Sequence, residues 1–239
     1  MKKNILYFMM VALALMTMTS CDKDSEGKST IVDYPKITIQ GDVFYISPLG
    51  NTYNDPGCTV TYQGKDYTSN VVVSGLEDID VNTAGLYYVT YSAVSPDGLY
   101  KWSETRTVAV CDPTITTDLE GSWTLQDGSY RNYNGAGEVG FDGFGVTIKK
   151  LAPGIFSVSD FFGGWYDQRA GYGKNYAMAG QIQVLSDGSL KLLSSKVAGW
   201  GDSLDDDFVG SYDETTGILK WDVGYADNLM VFRVILKHN

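Results

Sequence analysis

The sequence has little histidine and little basic charge. Its one histidine, His238, is the penultimate residue, which excludes a well-held His-dependent nucleophile triad and a multi-histidine zinc site. Lys and Arg number 18 against 29 Asp and Glu, for a formal charge of −11. Because Lys and Arg supply the affinity for phosphates, this balance argues against nucleic-acid binding. No Gly-rich phosphate loop or dinucleotide motif is present. We expect no catalytic activity, cofactor or metal.

Long apolar runs are also scarce. The one extended run, residues 5–16, follows Lys2 and Lys3 and is shorter than the roughly 20 residues that span a bilayer. Residues 1–20 therefore predict a secretory signal peptide. Small residues lead up to Cys21, and the whole resembles a bacterial lipoprotein signal. This resemblance implies acylation of Cys21 and a lipid anchor; the alternative is an ordinary signal peptide with a chance cysteine.

Residues 21–33 are polar and lack periodicity, which predicts a flexible tether. The acidic start of this segment, residues 22–26, resembles the signal that directs lipoproteins to the outer face of the outer membrane in glycan-degrading Gram-negative bacteria. The resemblance implies a lipid-anchored protein that faces the cell exterior. The alternative is a solvated linker with incidental acidic residues.

Cysteine is scarce as well, and Cys58 and Cys111 remain once Cys21 is assigned to the lipid. An even pair in an exported chain is compatible with a disulfide. Two buried free thiols are the alternative.

The composition favours an all-β fold, since Tyr, Thr and Val crowd the apolar segments and suit half-buried strands. Residues 34–112 contain short β-rich runs separated by Gly, Asn, Asp and Pro, a pattern typical of an immunoglobulin-like sandwich. The predicted strands are 36–40, 43–46, 58–63, 71–74, 86–94 and 102–110.

Three motifs in this region carry a resemblance. They are the turn Tyr53-Asn54-Asp55-Pro56-Gly57, the Gly-x-Tyr-x-Val-x-Tyr strand at residues 85–91, and the closing Thr105-Arg106-Thr107-Val108. In this order they resemble the HYR-type bacterial surface immunoglobulin-like domain. The resemblance implies a spacer or adhesive module. The turn at residues 95–99 departs from the family pattern, which weakens any inference of ion binding there.

Residues 112–117 predict a hinge, because proline cannot continue a central strand. Residues 118–239 contain eight further candidate strands with short connections, which suit a closed antiparallel up-and-down barrel. The start of this domain, with Gly121 and Trp123, resembles lipocalin-like barrels. The arrangement of the whole chain resembles accessory surface lipoproteins of polysaccharide-utilisation systems. The eight strands are 121–126, 145–151, 155–159, 176–186, 189–195, 208–212, 218–224 and 229–237.

The strongest candidate site is aromatic and lies in two Gly-rich stretches. Sugar rings present apolar C–H faces edged by hydroxyls, so exposed Trp or Tyr beside a carboxylate suits them, and flanking glycines would let a ring lie flat. The alternative is that Trp165 and Trp200 fill the barrel core, as we expect of Trp123 and Trp221. The candidate ligand-binding residues are Trp165, Tyr166, Asp167, Tyr172, Tyr176, Trp200 and Asp202.

The leading hypothesis is a monomeric, non-catalytic surface lipoprotein that binds a glycan and assists an outer-membrane importer. A structural or protein-interaction module without sugar contact is the second hypothesis. A carboxylate-based hydrolase is the third, because a glycosidase needs only two carboxylates several ångströms apart. The candidates are Asp160, Asp167, Asp202, Asp205, Asp206 and Asp207. The acidic run 202–207 could instead gather calcium or simply be a solvated loop.

Overall fold

The structure is a computed structural model that describes residues 33–239. The predicted signal peptide, Cys21 and all of the predicted tether except Asp33 lie outside these residues, so the lipid anchor stays a prediction. Within the described part of the chain, no helix is long and apolar enough to cross a membrane.

The N-terminal region forms seven strands in two sheets. One sheet has the order β1-β3-β4 and the other β2-β7-β6-β5. Their inner faces enclose a core that includes Val60, Val89, Tyr91 and Val108. The predicted alternation along β6 is observed, with Val89, Tyr91 and Ala93 inside. The strands are β1 (Lys36–Ile39), β2 (Phe44–Pro48), β3 (Cys58–Tyr62), β4 (Lys65–Asp66), β5 (Val72–Ser74), β6 (Gly85–Val94) and β7 (Lys101–Cys111).

A buried ion pair joins two of the sequence motifs in this sandwich. Arg106 is fully buried on β7, and its Nη1 donates to Asp55 at 2.8 Å and to the Tyr53 hydroxyl at 3.1 Å. Its Nη2 donates to the carbonyl oxygens of Gln40 and Gly57. The guanidinium therefore ties the Tyr-x-Asp-Pro-Gly turn to the last strand. Such a buried charge is tolerated because both terminal nitrogens have acceptors, although its Nε has no hydrogen-bond partner within residues 33–239.

The C-terminal region is a closed barrel of eight antiparallel strands. Its order is β8-β11-β12-β13-β14-β15-β16-β17, and β17 pairs with β8 to close it. All eight correspond to predicted strands, and the prediction of an all-β chain with an immunoglobulin-like region and a barrel is confirmed. The strands are β8 (Gly121–Leu125), β11 (Gly145–Ala152), β12 (Ile155–Val158), β13 (Met178–Val184), β14 (Ser189–Val197), β15 (Val209–Asp213), β16 (Ile218–Tyr225) and β17 (Met230–His238).

The sequence interpretation missed one hairpin in the barrel. Strands β9 (Tyr130–Tyr133) and β10 (Glu138–Gly140) pair with each other, and β9 extends the sheet beside β17. Neither strand has a buried alternating face, since most of their residues are half-buried or exposed. The hydrophobic periodicity that reveals a strand is therefore absent there.

Large side chains fill the barrel. Trp123, Phe156, Phe161, Trp221 and Phe232 are all buried in one continuous cluster. Trp123 and Trp221 thus belong to the core, as expected, and their indole N–H groups donate to the backbone carbonyls of Leu119 and Phe161. Binding to this domain can take place at the barrel ends or on its outer surface.

The barrel ends differ in the length of their loops. Because neighbouring strands are antiparallel, alternate connections emerge at opposite ends. The interdomain linker enters at one end, where the turns 153–154, 185–188 and 214–217 are tight. The opposite end, which we call the distal end, carries the long connections 159–177 and 198–208 and the turn 226–229. Most of the predicted site residues lie in these loops.

The two remaining cysteines are free thiols, so the disulfide alternative does not hold in this structure. Cys58 packs against the sandwich core. Cys111 belongs to a separate apolar cluster with Ala152 and Ile155 of the barrel, and burial raises the pKa of both thiols. The side chains serve two different packing sites, which explains why they do not pair.

Candidate functional site

Five aromatic side chains meet at the distal end of the barrel. Trp200 lies 4.9 Å from Tyr166, 5.0 Å from Tyr176 and 6.3 Å from Tyr225, measured between ring centroids. Tyr172 lies 6.1 Å from Tyr166 and 5.6 Å from Tyr176. We call these five residues the aromatic patch. The structure therefore brings together four predicted aromatics from two separate loops.

The outer side of the aromatic patch is open to solvent. Tyr172 is 57% exposed and Trp200 is 39% exposed, whereas Tyr225 beneath them is buried. Contiguous exposed aromatics on a folded domain mark an interaction site more often than isolated ones do. Of the two alternatives for Trp200, the partly exposed position on the surface is the one observed.

Trp165, in contrast to Trp200, belongs to the barrel core. It is only 6% exposed, and its ring packs edge-on against Phe141 at 4.9 Å. Gly163 and Gly164 direct it inward, since both have left-handed φ values, 64° and 88°. A Cβ on Gly164 would lie 2.8 Å from that of Phe144. These glycines thus permit a tight turn and close packing rather than a flat exposed ring.

Asp160 holds the same turn in place. Its carboxylate accepts backbone N–H groups from Phe162 at 2.9 Å, Gly164 at 2.8 Å and Met178 at 2.9 Å. The residue is 1% exposed, and burial raises its pKa to about 6 although the three donors oppose this rise. Asp160 therefore has a structural role and is not accessible to a substrate. This observation counts against the hydrolase hypothesis.

The loop that carries Trp200 is fastened from both sides. Gly199 donates its N–H to the Asn175 carbonyl at 2.7 Å, and a Cβ on Gly199 would lie 2.8 Å from the Tyr176 ring. The Asp202 carboxylate accepts the Tyr225 hydroxyl at 2.7 Å. Burial, together with this hydrogen bond, raises the pKa of Tyr225. Asp202 thus lies beside the patch with part of its carboxylate free for a ligand hydroxyl.

Two other carboxylates of this loop, Asp205 and Asp207, hold it to β16 and to the turn 226–229. Asp205 accepts the N–H of Asn228 at 2.7 Å, and Asp207 accepts that of Gly224 at 3.0 Å. Within residues 33–239, no three His, Cys, Asp or Glu side chains are arranged to hold a metal ion. Asp167 is half-buried, and its backbone carbonyl accepts the Gly173 N–H at 3.2 Å.

Three neighbours of the site were missed by the sequence interpretation. Tyr225 ends β16 and could have been found from its position after an inward-facing Val223 on the same strand. Arg131 and Arg169 contact the Trp165 ring, with their guanidinium carbons 5.0 Å and 4.0 Å from its centroid. No local pattern indicated the Arg131 contact, because it joins β9 to the 159–177 loop. Arg169 lies in the same loop as Trp165, four positions after it, so its contact is local.

The fold and the aromatic patch define a two-domain all-β protein with an immunoglobulin-like region and a barrel that presents aromatic loops. Residues 37–110 match the Ig-like domain of bacterial surface proteins, and residues 112–238 match the BT2262-like C-terminal domain. The lipoprotein BT2262 from Bacteroides thetaiotaomicron is 39% identical over 86% of this chain and 100% of its own, with a TM-score of 0.49. The chain therefore belongs to the BT2262-like family.

Two further solved structures are more distant. The CBM51-2 and INT domains of Clostridium perfringens ZmpB, solved with GlcNAc, are 20% identical over 53% of this chain and 30% of theirs, with a TM-score of 0.26. A multidomain protein including DUF1735 from Bacteroides ovatus is 13% identical over 85% of this chain and 80% of its own, with a TM-score of 0.26. A comparison with curated proteins finds no match.

Among these matches, the Ig-like domain of bacterial surface proteins over residues 37–110 indicates a cell-surface location for the chain. The matches indicate no enzymatic family. A non-catalytic surface module is compatible with all of them.

Proposed function

We propose that this protein is a glycan-binding lipoprotein on the outer face of the outer membrane, where it assists polysaccharide uptake without catalysing a reaction. Acylated Cys21 would anchor it, and an HYR-type immunoglobulin-like domain would act as a spacer. The barrel would present its distal end to the ligand. The protein would work as a monomer beside an importer subunit.

The observation that carries the proposal is the solvent-exposed aromatic patch with Asp202 at its edge. Tyr172 and Trp200 offer apolar ring faces on which a sugar can stack, and Asp202 and the tyrosine hydroxyls offer hydrogen-bond partners. A Tyr or Trp side chain combines a large apolar area with a polar tip. Since the buried Tyr225 and the Gly199 contact fix the position of Trp200, little ordering is required on binding.

Affinity gels and isothermal titration with a panel of neutral and acidic polysaccharides test this site. We expect wild type to bind at least one polymer and the Trp200→Ala and Tyr172→Ala variants to lose most of that affinity. Trp102→Ala is the matched control, because Trp102 is 45% exposed but lies on the immunoglobulin-like region. The site is wrong if wild type binds no polymer, or if Trp102→Ala weakens binding as much as Trp200→Ala.

Location is tested separately in whole cells. Added protease should remove the C-terminal epitope from intact cells, and Cys21→Ser should release the protein from the membrane fraction. Protection of the epitope in intact cells would contradict the outward-facing location. Continued membrane attachment of Cys21→Ser would contradict the lipid anchor.

A protein partner is the second candidate for the same patch, because Tyr and Trp are also enriched in protein interfaces. Pull-down from solubilised outer membranes distinguishes the two. Retention of an importer subunit that Trp200→Ala abolishes, together with no glycan binding, would favour this alternative.

A further inference from the structure

The chain has four arginines, and they fall into two pairs. Arg106 and Arg233 each have a carboxylate partner, Asp55 and Asp222 respectively, at 2.8 Å. Among the described residues, neither Arg131 nor Arg169 makes a salt bridge. The protein has a net charge of −11, so carboxylates are plentiful. Two arginines that have no carboxylate partner are therefore unexpected.

Both of these arginines lie against Trp165. The guanidinium carbon of Arg169 is 4.0 Å from the ring centroid and that of Arg131 is 5.0 Å from it. Arg131 also lies 5.0 Å from the Tyr133 centroid. Stacking on an aromatic face orients the guanidinium plane but uses none of its N–H donors. The donors at the edges of both groups therefore remain available.

Arg131 shows that these donors are incompletely used. Its Nε is buried and has no hydrogen-bond partner within residues 33–239. A buried donor without an acceptor is unfavourable, and such groups in folded proteins call for a specific explanation. The buried Nε itself is out of a ligand's reach, so an anionic ligand group would make its charge-assisted hydrogen bonds to the outer nitrogens of Arg131 and to Arg169.

The arginine pair is continuous with the aromatic patch. Trp165 and Tyr166 are adjacent in the chain, and Tyr166 contacts both Tyr172 and Trp200. Burial raises the pKa of the Tyr166 hydroxyl, and Arg131 opposes this rise. A sugar stacked on the patch could thus direct a substituent towards Arg131 and Arg169.

We infer that Arg131 and Arg169 form an anion subsite at the edge of the aromatic patch, and that the glycan carries a carboxylate or sulfate group. The inference rests on the proposed function and specifies its ligand class. Overall charge would predict the opposite preference, since the acidic chain repels a polyanion at long range. A preference for the acidic polymer must therefore come from local contacts.

Matched polymer pairs that differ in charge test the inference with the full chain. The carboxylate arm compares polygalacturonate with its methyl ester and hyaluronan with its methyl ester; the sulfate arm compares dextran sulfate with dextran. We expect the acidic member of at least one pair to bind about tenfold more tightly than the neutral member. This ratio corresponds to one hydrogen bond to a charged group that only the acidic member makes. The responding arm identifies the anionic group.

Arg169→Gln should abolish this preference and leave the affinity for the neutral member unchanged. Arg233→Gln is the matched control, because Arg233 also lies over an aromatic ring, that of Tyr130 at 5.2 Å, but has Asp222 as its partner. Arg169 is exposed, so its replacement leaves the core intact.

Two results would overturn the inference and leave the proposed function standing. One is tight binding of neutral polymers with no preference for an acidic member. The other is a preference that survives in Arg169→Gln or is lost equally in Arg233→Gln. If no polymer of either charge binds, both the proposed function and the inference fail.

Discussion

Replacing Arg106 by methionine should destabilise the immunoglobulin-like region far more than its surface area suggests. The change removes the hydrogen bonds to Asp55, Tyr53, Gln40 and Gly57. Asp55 would keep the Tyr53 and Tyr91 hydroxyls as donors, at 2.9 Å and 2.5 Å, but would lose its only counter-charge. Breaking a buried pair by removing one partner costs about 3–5 kcal/mol.

This loss is large compared with the whole stability of a domain, about 5–15 kcal/mol. Urea unfolding followed by near-ultraviolet circular dichroism is a suitable assay, because the immunoglobulin-like region contains nine of the 17 tyrosines. Tryptophan fluorescence reports mainly on the barrel, since it contains four of the five tryptophans. We therefore expect the dichroism transition to move to lower urea and the fluorescence transition to stay.

Arg233→Met is the matched control, since the Arg233–Asp222 pair has the same 2.8 Å separation but side chains that are 47% and 43% exposed. Exposed pairs contribute about 0–1 kcal/mol. The double variant Asp55→Leu, Arg106→Met should recover part of the single-variant loss, because no uncompensated charge remains. If Arg106→Met costs no more than Arg233→Met, the reasoning about burial is wrong.

Three further predictions concern the barrel and the cysteines. Because the pKa of Asp160 is about 6 when folded and about 4 when unfolded, the folded state binds the proton more tightly. The resulting stabilisation is complete below pH 4 and is lost as pH rises through 6. The unfolding free energy of wild type relative to that of Asp160→Asn should therefore fall by roughly 3 kcal/mol between pH 4 and 7. A difference that is flat or rises with pH would contradict this. Trp165→Ala should cost the barrel about 3–5 kcal/mol in urea unfolding, and a cost below about 1 kcal/mol would refute its core assignment. A reductant should leave the thermal midpoint unchanged, because Cys58 and Cys111 are free thiols; a lowered midpoint would indicate a disulfide.

Much of the fold could be predicted from local patterns. Several barrel strands have an inward face whose apolar residues alternate with polar ones, as in β11 with Val146 and Ile148 inside. That period of two is a property of the chain and needs no knowledge of the partner strands. The hairpin β9–β10 escaped detection because it lies outside the core and has no such period.

The candidate site could be predicted only in part. Gly-rich loops with Trp and Tyr pointed to residues 163–176 and 199–202, and the structure gathers most of their aromatic rings at the distal end. The roles of Trp165 and Trp200 could not be separated, because both sit beside glycines and acids in the sequence. The left-handed turn at Gly163 and Gly164 buries the first, while the contact of Gly199 with Tyr176 leaves the second at the surface.

The sequence by itself determined the strand content, the order of the two regions and the shortage of catalytic side chains, because these depend on residue type and local spacing. Tertiary structure alone decided which aromatic rings are exposed, that Arg106 closes the Tyr-x-Asp-Pro-Gly turn, and that Arg131 and Arg169 meet at one indole. The Arg106 contacts with that turn join residues 49 to 53 positions apart, and Arg131 lies 34 positions from Trp165 in the chain. Barrel closure and sandwich packing create them, and no short segment of the chain records them.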